Sequence, residues 1–308
     1  MKKISEDKII ELVSNNNGFR EEVIVPIGED AGVIFPKQET NMVITTDTMA
    51  LNTHFKSNIT PYELGYISAI SNISDLSAMG AEPAFALINL TIEKPSDIFI
   101  KQLIEGYNKV FNKFSMTILG GDTTKGELSI SMTLVGYTES NNFMQTSSAK
   151  TGDNICISGS VAETMYAHMN NKYFLHQDRN ELGKLLANYA TACTDMSDGL
   201  FKSLRNICKR SKLGAEIDLD KICINENIRH LILENENTWE DAFGYGEDYE
   251  LFFTVSPSNI EKLKKYCDQK CIEIFEIGKL NDSKNIDFFQ KSKKLQLDIY
   301  KEFEHFEQ

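Results

Sequence analysis

Asn72-Ile73-Ser74-Asp75-Leu76-Ser77-Ala78-Met79-Gly80-Ala81-Glu82-Pro83 is the stretch where one periodicity gives way to another. Upstream, Leu64, Ile67, Ile70, Ile73 and Leu76 recur at helical spacing, so one face is buried. Pro61 sits at the start of that run, where a first helical turn tolerates proline. Downstream, Phe85 to Ile92 reads as a strand.

The same pattern extends in both directions. Lys8 to Val13 predicts a short amphipathic helix, and Val23 to Pro26 leads into Ile27-Gly28-Glu29-Asp30-Ala31. Met42 to Thr46 predicts a strand ending at Asp47. Ser96, with Asp97 in the first turn, predicts a helix to about Lys113. Met116 to Leu119 predicts a strand running into Gly120-Gly121-Asp122, and Leu128 to Gly136 another strand. Between Thr138 and Asp153 the chain turns polar, which predicts a boundary between a domain of residues 1–140 and one of 141–308. Beyond it, Ile155 to Ser158 and Phe252 to Val255 predict strands. Ala162 to Met169, the segment opened by Ser197-Asp198-Gly199-Leu200, and Asn259 to Cys267 predict helices. Without strict strand–helix alternation, the fold class is α+β, a mixture of helices and sheets rather than one doubly wound sheet.

The chain has 308 residues, 41% hydrophobic and 25% charged, with a formal net charge of −13. That acidity argues against a nucleic-acid partner. It does not exclude a phosphorylated ligand, but it calls for metal cations between two sets of negative groups. Met1 to Asp7 carries no apolar stretch of the signal-peptide kind, and the run Ala84-Phe85-Ala86-Leu87-Ile88 is too short to span a bilayer. A cytoplasmic protein without a membrane partner is expected. The six cysteines lack metal-ligand spacing and predict reduced thiols.

No P-loop is present; Gly120-Gly121-Asp122-Thr123-Thr124-Lys125-Gly126 lacks its spacing. Instead, short acidic motifs close the apolar segments. They are Gly28-Glu29-Asp30-Ala31, Thr45-Thr46-Asp47-Thr48, Ser74-Asp75-Leu76, Gly120-Gly121-Asp122-Thr123, Asp195-Met196-Ser197-Asp198-Gly199 and Gly246-Glu247-Asp248-Tyr249-Glu250. Carboxylates and hydroxyls are what a hard divalent cation takes, and glycine lets backbone come close. Any one motif alone reads equally as a turn or a helix cap; six together point to a metal-dependent site.

These motifs, in this order and over nearly the whole chain from Gly28 to Phe306, resemble the thiamine-monophosphate kinase family. That family lies in the superfamily that also holds aminoimidazole ribonucleotide synthetase, selenophosphate synthetase and a hydrogenase-maturation protein. Thr46-Asp47-Thr48 with His54-Phe55, the Asn72–Pro83 stretch, Gly246–Leu251 and the ending Phe303-Glu304-His305-Phe306 carry the likeness. The resemblance implies a two-domain aminoimidazole ribonucleotide synthetase-like fold. Its N-terminal sheets would form a homodimer, with ATP near that interface. It implies that Asp30, Asp47, Asp75 and Asp122, helped by Thr45 and Thr46, hold several Mg²⁺ ions, and that Asp195 and Asp198 add ligands from the second domain. Gly121, Asp122 and Ser197 would meet ATP; His54, Glu247 and Phe303 would meet thiamine monophosphate. The implied reaction passes the γ-phosphate to a substrate phosphate already ionised near neutral pH, so no catalytic general base is expected.

The chain departs from the family in four places, the mildest being Glu29-Asp30 for the usual acidic pair after glycine, a conservative change. Thr146 stands where the family has an arginine before the Ala149-Lys150-Thr151-Gly152-Asp153 segment. Gly159-Ser160-Val161-Ala162-Glu163 keeps one glycine of a richer helix start. His176-Gln177-Asp178-Arg179-Asn180 keeps one arginine of two. Two rivals therefore stand beside the kinase: another ATP-dependent member of the superfamily, or a decayed, non-catalytic nucleotide-binding relative. Met1 to Phe19 lacks the cysteine that a selenophosphate synthetase would want, and His305-Phe306-Glu307-Gln308 lacks the terminal cysteine of the hydrogenase-maturation relative.

Overall fold

The computed structural model describes residues 4–27, 31–234 and 238–301. Asp30 and Phe303, and with Phe303 the aromatic ending, lie outside them. The chain divides into two compact units. The first comprises Met1–Leu76, Ala81–Asn141 and Leu175–Asp178; the second Ser77–Gly80, Asn142–Phe174 and Arg179–Gln308. Two short segments are thus exchanged in sequence order.

The first unit contains α1 (Glu6–Asn15), β1 (Val23–Val25), β2 (Val33–Ile34), β3 (Thr40–Ala50), α2 (Pro61–Ala78, its last two residues assigned to the second unit), β4 (Glu82–Thr91), α3 (Asp97–Phe111), β5 (Thr117–Thr124) and β6 (Ser129–Glu139). Its main sheet runs β3-β6-β4-β5. β6 is antiparallel to β3 and β4, while β4 and β5 are parallel and joined through α3, as parallel neighbours require. α2 starts with a capping box. Thr60 Oγ1 accepts from the Glu63 amide at 3.2 Å, and the Glu63 carboxylate accepts from the Thr60 amide at 2.8 Å. Leu64, Ile70, Ile73 and Leu76 of α2 are fully buried, and so are Ser68, Ser71, Asn72 and Ser74 between them. The helix is therefore enclosed nearly all round, more than the single buried face its spacing predicts. Ser68 and Ser71 satisfy their hydroxyls by donating to the Leu64 and Ser68 carbonyls. Ser96 caps α3 as predicted, accepting from the Phe99 amide.

Two predicted ends move. β3 does not stop at Asp47 but continues to Ala50, because β6 pairs with it along its whole length, from Thr40↔Glu139 to Ala50↔Ser129. β5 does not give way to a loop at Gly120, because β4 keeps pairing with it as far as Thr91↔Thr124. Asp47 and Asp122 therefore stand within strands.

The second unit contains β7 (Asn154–Ser158), α4 (Glu163–Met169), α5 (Asn180–Leu186), β8 (Ala190–Asp195), α6 (Leu200–Ser211), β9 (Gly214–Asp218), α7 (Glu226–Leu233), α8 (Trp239–Gly244), β10 (Leu251–Val255), α9 (Ile260–Gln269), β11 (Ile274–Asn281), β12 (Ile286–Gln290) and β13 (Lys293–Leu295). Its sheet runs β13-β12-β9-β11-β7-β10-β8. β7 and β10 are buried at every position. One side of the sheet packs Ile155, Ile157 and Phe252 with Phe201, Leu204, Trp239 and Phe243. The other packs Cys156, Cys193 and Phe253 with Leu182, Leu263 and Cys267. All six cysteines are free thiols of this unit: Cys156, Cys193, Cys208 and Cys267 are buried, Cys223 is half-buried and Cys271 is exposed. Among the described residues no helix is long and apolar enough to cross a membrane.

Candidate functional site

In the first unit the pleat of β3 sorts the acidic motif. Met42, Ile44, Thr46 and Thr48 are exposed on one face, while Val43, Thr45, Asp47 and Met49 alternate onto the other. Thr45, Asp47 and Met49 stand opposite Leu134, Met132 and Ile130, which are fully buried. α2 brings Asp75 to this covered face, where Thr45 Oγ1 donates to Asp75 Oδ2 at 2.5 Å. Thr45, Asp47 and Asp75 thus share a face as an all-oxygen donor set, the chemistry that Mg²⁺ selects. Thr46 is directed away from them. Its hydroxyl donates to the Met132 carbonyl at 3.1 Å and accepts from Thr133 Oγ1 at 3.0 Å.

Asp122 is exposed, lies opposite Asn89, and accepts from Thr124 Oγ1 at 2.8 Å. The neighbouring Gly121 has φ +154, and a Cβ placed on it would lie 1.8 Å from the Ile88 carbonyl oxygen. The close passage of β4 thus demands glycine there. Among the described residues no three His, Cys, Asp or Glu side chains gather into a group that could hold a metal ion. His54 closes the turn after β3: its Nδ1 accepts from the Ala50 amide at 3.1 Å, which in the neutral ring places the proton on Nε2.

In the second unit two of the sequence motifs are laced into one loop pair by backbone hydrogen bonds. The Met196 amide donates to the Glu250 carbonyl at 2.8 Å, and the Asp248 and Tyr249 amides both donate to the Met196 carbonyl at 3.2 Å. The Glu247 amide donates to the Ser197 carbonyl at 2.6 Å. Gly246 has φ +84, and a Cβ on it would meet that same Ser197 oxygen at 2.6 Å. Glu247 and Tyr249 are themselves left-handed, at φ 56 and 49. Each such non-glycine residue costs about 1–2 kcal/mol, which the lacing offsets. Asp195 ends β8, buried, with its carbonyl accepting from Ser203 Oγ at 2.9 Å. Asp198 pairs with Lys202 one helical turn later, at 2.8 Å.

A buried polar network stands behind this loop pair; the sequence singled out the Gly246–Glu250 motif and gave Glu247 to the substrate, but assigned no role to Asp248, Glu250 or their partners. Asp248 accepts from the Ala162 amide at 2.8 Å, and burial pushes its carboxyl well above the usual range. Glu250 takes a two-pronged contact from Arg179 Nε and Nη2, and Ser158 Oγ donates to it at 2.5 Å. Burial still raises the Glu250 carboxyl, against the lowering by Arg179 and Ser158. Burial alone pushes Glu247 up to about 7. The one arginine retained at 176–180 is thus a partner for a buried acid. The only signal for it in the sequence is an arginine and a glutamate 71 residues apart.

The Thr146 carbonyl accepts from Ser211 Oγ at 3.2 Å, and the Lys150 amide donates to Asp153 at 2.8 Å.

Residues 28–138 match the family model for the N-terminal domain of AIR synthase related proteins, and residues 172–291 that for their C-terminal domain. The chain is 35% identical over 301 residues to the thiamine-monophosphate kinase of Buchnera aphidicola subsp. Schizaphis graminum, covering 91% of this chain and 92% of that protein. It is 30% identical over 315 residues to the thiamine-monophosphate kinase of Haemophilus influenzae, covering 94% and 96%. The crystal structure of thiamine-monophosphate kinase from Stenotrophomonas maltophilia superposes with a TM-score of 0.81 at 26% identity, covering 96% of this chain and 99% of that one.

Proposed function

The chain belongs to the thiamine-monophosphate kinase family, and from that premise we propose that it transfers the γ-phosphate of ATP to thiamine monophosphate, giving thiamine diphosphate. What carries the reading is the likeness to these kinases over more than nine-tenths of each chain.

The acceptor phosphate supplies its own nucleophilic oxygen, so the protein's task is to hold two anions in line and neutralise their charge. Thr45, Asp47 and Asp75 form the donor set that fits Mg²⁺. Asp30, Asp122, Asp195 and Asp198 are assigned to metal on the family resemblance; Thr46, which the resemblance also named, faces away from Thr45, Asp47 and Asp75 and is left out of the set. When bound, magnesium supplies positive charge against the phosphate oxygens. The same resemblance gives Gly121, Asp122 and Ser197 to the nucleotide, and His54, Glu247 and Phe303 to the acceptor. The Nε2 proton of His54 suits a phosphate oxygen, and a carboxylate at Glu247 suits the cationic thiazolium ring.

A homodimer through the first unit's sheet is part of the same reading. Its support is the outward row of Met42, Ile44 and Leu87, which are 46%, 61% and 41% exposed. A cytoplasmic setting suits the six free thiols.

The experiment is ADP release in a coupled assay, with thiamine monophosphate present and absent at saturating Mg²⁺. Release that depends on thiamine monophosphate, with thiamine diphosphate as product, is expected. ATP binding without turnover would mean a decayed relative.

A further inference from the structure

The backbone of Glu247 is gripped from both sides. Its amide donates to the Ser197 carbonyl at 2.6 Å, and its carbonyl accepts from Thr164 Oγ1 at 2.7 Å. Thr164 is buried on α4. One helical turn further along the same face, His168 Nδ1 hydrogen-bonds the Tyr245 hydroxyl at 2.7 Å. The His168 ring meets the edges of Tyr245 and Tyr173, with centroids 5.8 and 5.1 Å apart. α4 therefore holds the segment Tyr245–Glu247 at both ends, two residues apart. Between those holds the chain is left-handed at Gly246 and at Glu247, with φ 84 and 56. A glutamate holds that conformation at a cost, because its Cβ is crowded there, so each anchor adds to its hold.

We propose that Thr164, seconded by the His168–Tyr245 pair, is a positioning residue that fixes the direction of the Glu247 carboxylate toward the acceptor substrate. This rests on the reading that Glu247 contacts thiamine monophosphate. Thr164 acts only through Glu247: it sets the peptide from which the carboxylate projects and touches no substrate itself. Its loss is felt in acceptor binding and not in ATP binding.

The test is steady-state kinetics on the full-length protein, varying each substrate in turn, for wild type, Thr164→Val, Thr164→Ser, Glu247→Gln and the double variant Thr164→Val/Glu247→Gln. Valine keeps the volume and deletes the donor; serine keeps the donor. Thr164→Val is expected to raise KM for thiamine monophosphate about fivefold, the scale of one hydrogen bond, with KM for ATP within about twofold. Serine is expected to restore it. In the Glu247→Gln background, Thr164→Val is expected to add nothing, because residues that act through one another are not additive.

Equal rises for both substrates, or full additivity in the double variant, would overturn the positioning role. If Glu247→Gln itself leaves KM for thiamine monophosphate unchanged, the contact reading of Glu247 falls and takes this role with it. The two failures are thus told apart. Should Thr164→Val not fold, Tyr245→Phe carries the test, since it deletes only a hydroxyl from a partly exposed ring. A rise of about twofold in the acceptor KM that disappears in the Glu247→Gln background supports the role, and no rise overturns it.

Discussion

The described acids of the first unit's motifs stand on regular elements, and those of the second, apart from Asp195 at the end of β8, stand on loops. Thr45 and Asp47 owe their common face to the pleat of one strand, and Asp75 owes its place to a buried helix. Glu247, Asp248 and Glu250 owe theirs to left-handed backbone and to partners far away in sequence, Ala162, Arg179 and Ser158. Regular elements position a carboxylate cheaply and leave it half open to solvent. Loops bury it and must then satisfy it. The first arrangement suits groups that meet a cation, and the second builds a rigid wall.

The sharpest way to break this contrast is to remove a satisfier in the second unit. Arg179→Met leaves Glu250 buried without its cation, and a loss of roughly 3–5 kcal/mol is expected, read by denaturant unfolding. A loss under about 1 kcal/mol would mean that water reaches Glu250 and that the wall is not closed. In the first unit the reverse is expected. Asp47→Asn and Asp75→Asn each lower kcat by on the order of a hundredfold while the melting temperature changes little. Near wild-type turnover at saturating Mg²⁺ would remove both from the metal set.

Glu247 sharpens the comparison through pH. Its carboxyl is held near 7 in the fold against an ordinary 4.5. The folded state therefore keeps a proton that the unfolded state has released, and stability falls as pH rises from about 4.5 to about 7. Glu247→Gln should then unfold less readily than wild type above pH 7, by roughly 2 kcal/mol after discounting for partial exposure. The gain should vanish below the ordinary carboxylate range. A variant no more stable at pH 8 than wild type would show that the carboxylate is solvated. The smallest effect concerns Thr146. Thr146→Arg is expected to lower the apparent KM for ATP several-fold, on the order of 1 kcal/mol, and to leave that for thiamine monophosphate alone. An unchanged ATP constant would mean that this loop does not approach the nucleotide.

Legibility followed the same division. Pro61, the Ser96 cap, the β-rich run Met42 to Thr46 and the alternation from Leu128 to Gly136 belong to short-range patterns, so α2, α3 and the core strands of the first unit could be read from the chain. β3 and β5 were read too short because their later residues, Asp47-Thr48 and Gly120-Gly121-Asp122, are polar or small; pairing with β6 and β4 overrides weak local preference. β9 alternates over Ala215-Glu216-Ile217-Asp218, while β8, with the sequence Ala190-Thr191-Ala192-Cys193-Thr194-Asp195, β11, β12 and β13 carry no clean alternation; all five went unread. So did the exchange of 77–80 and 175–178 between the units. Gly246 to Glu250 looks like a solvated acidic turn. Only partners 71 to 92 residues away in sequence reveal that Asp248 and Glu250 are 1% and 4% exposed.

The placement of the thiols turns the molecule into its own stopwatch. Every cysteine, and the single tryptophan, Trp239, belongs to the second unit. Burial raises the thiols of Cys156, Cys193, Cys208 and Cys267, the last two to about 12 and 11. Only the thiolate reacts with an alkylating reagent, so these four are silent until the sheet they line opens. Cys271, exposed, reacts at once and marks zero time, and the half-buried Cys223 follows it. With alkylation faster than reclosing, the rate at which mass is added after those two increments is the opening rate of the second unit alone, and a ligand that closes only the first unit leaves it unchanged.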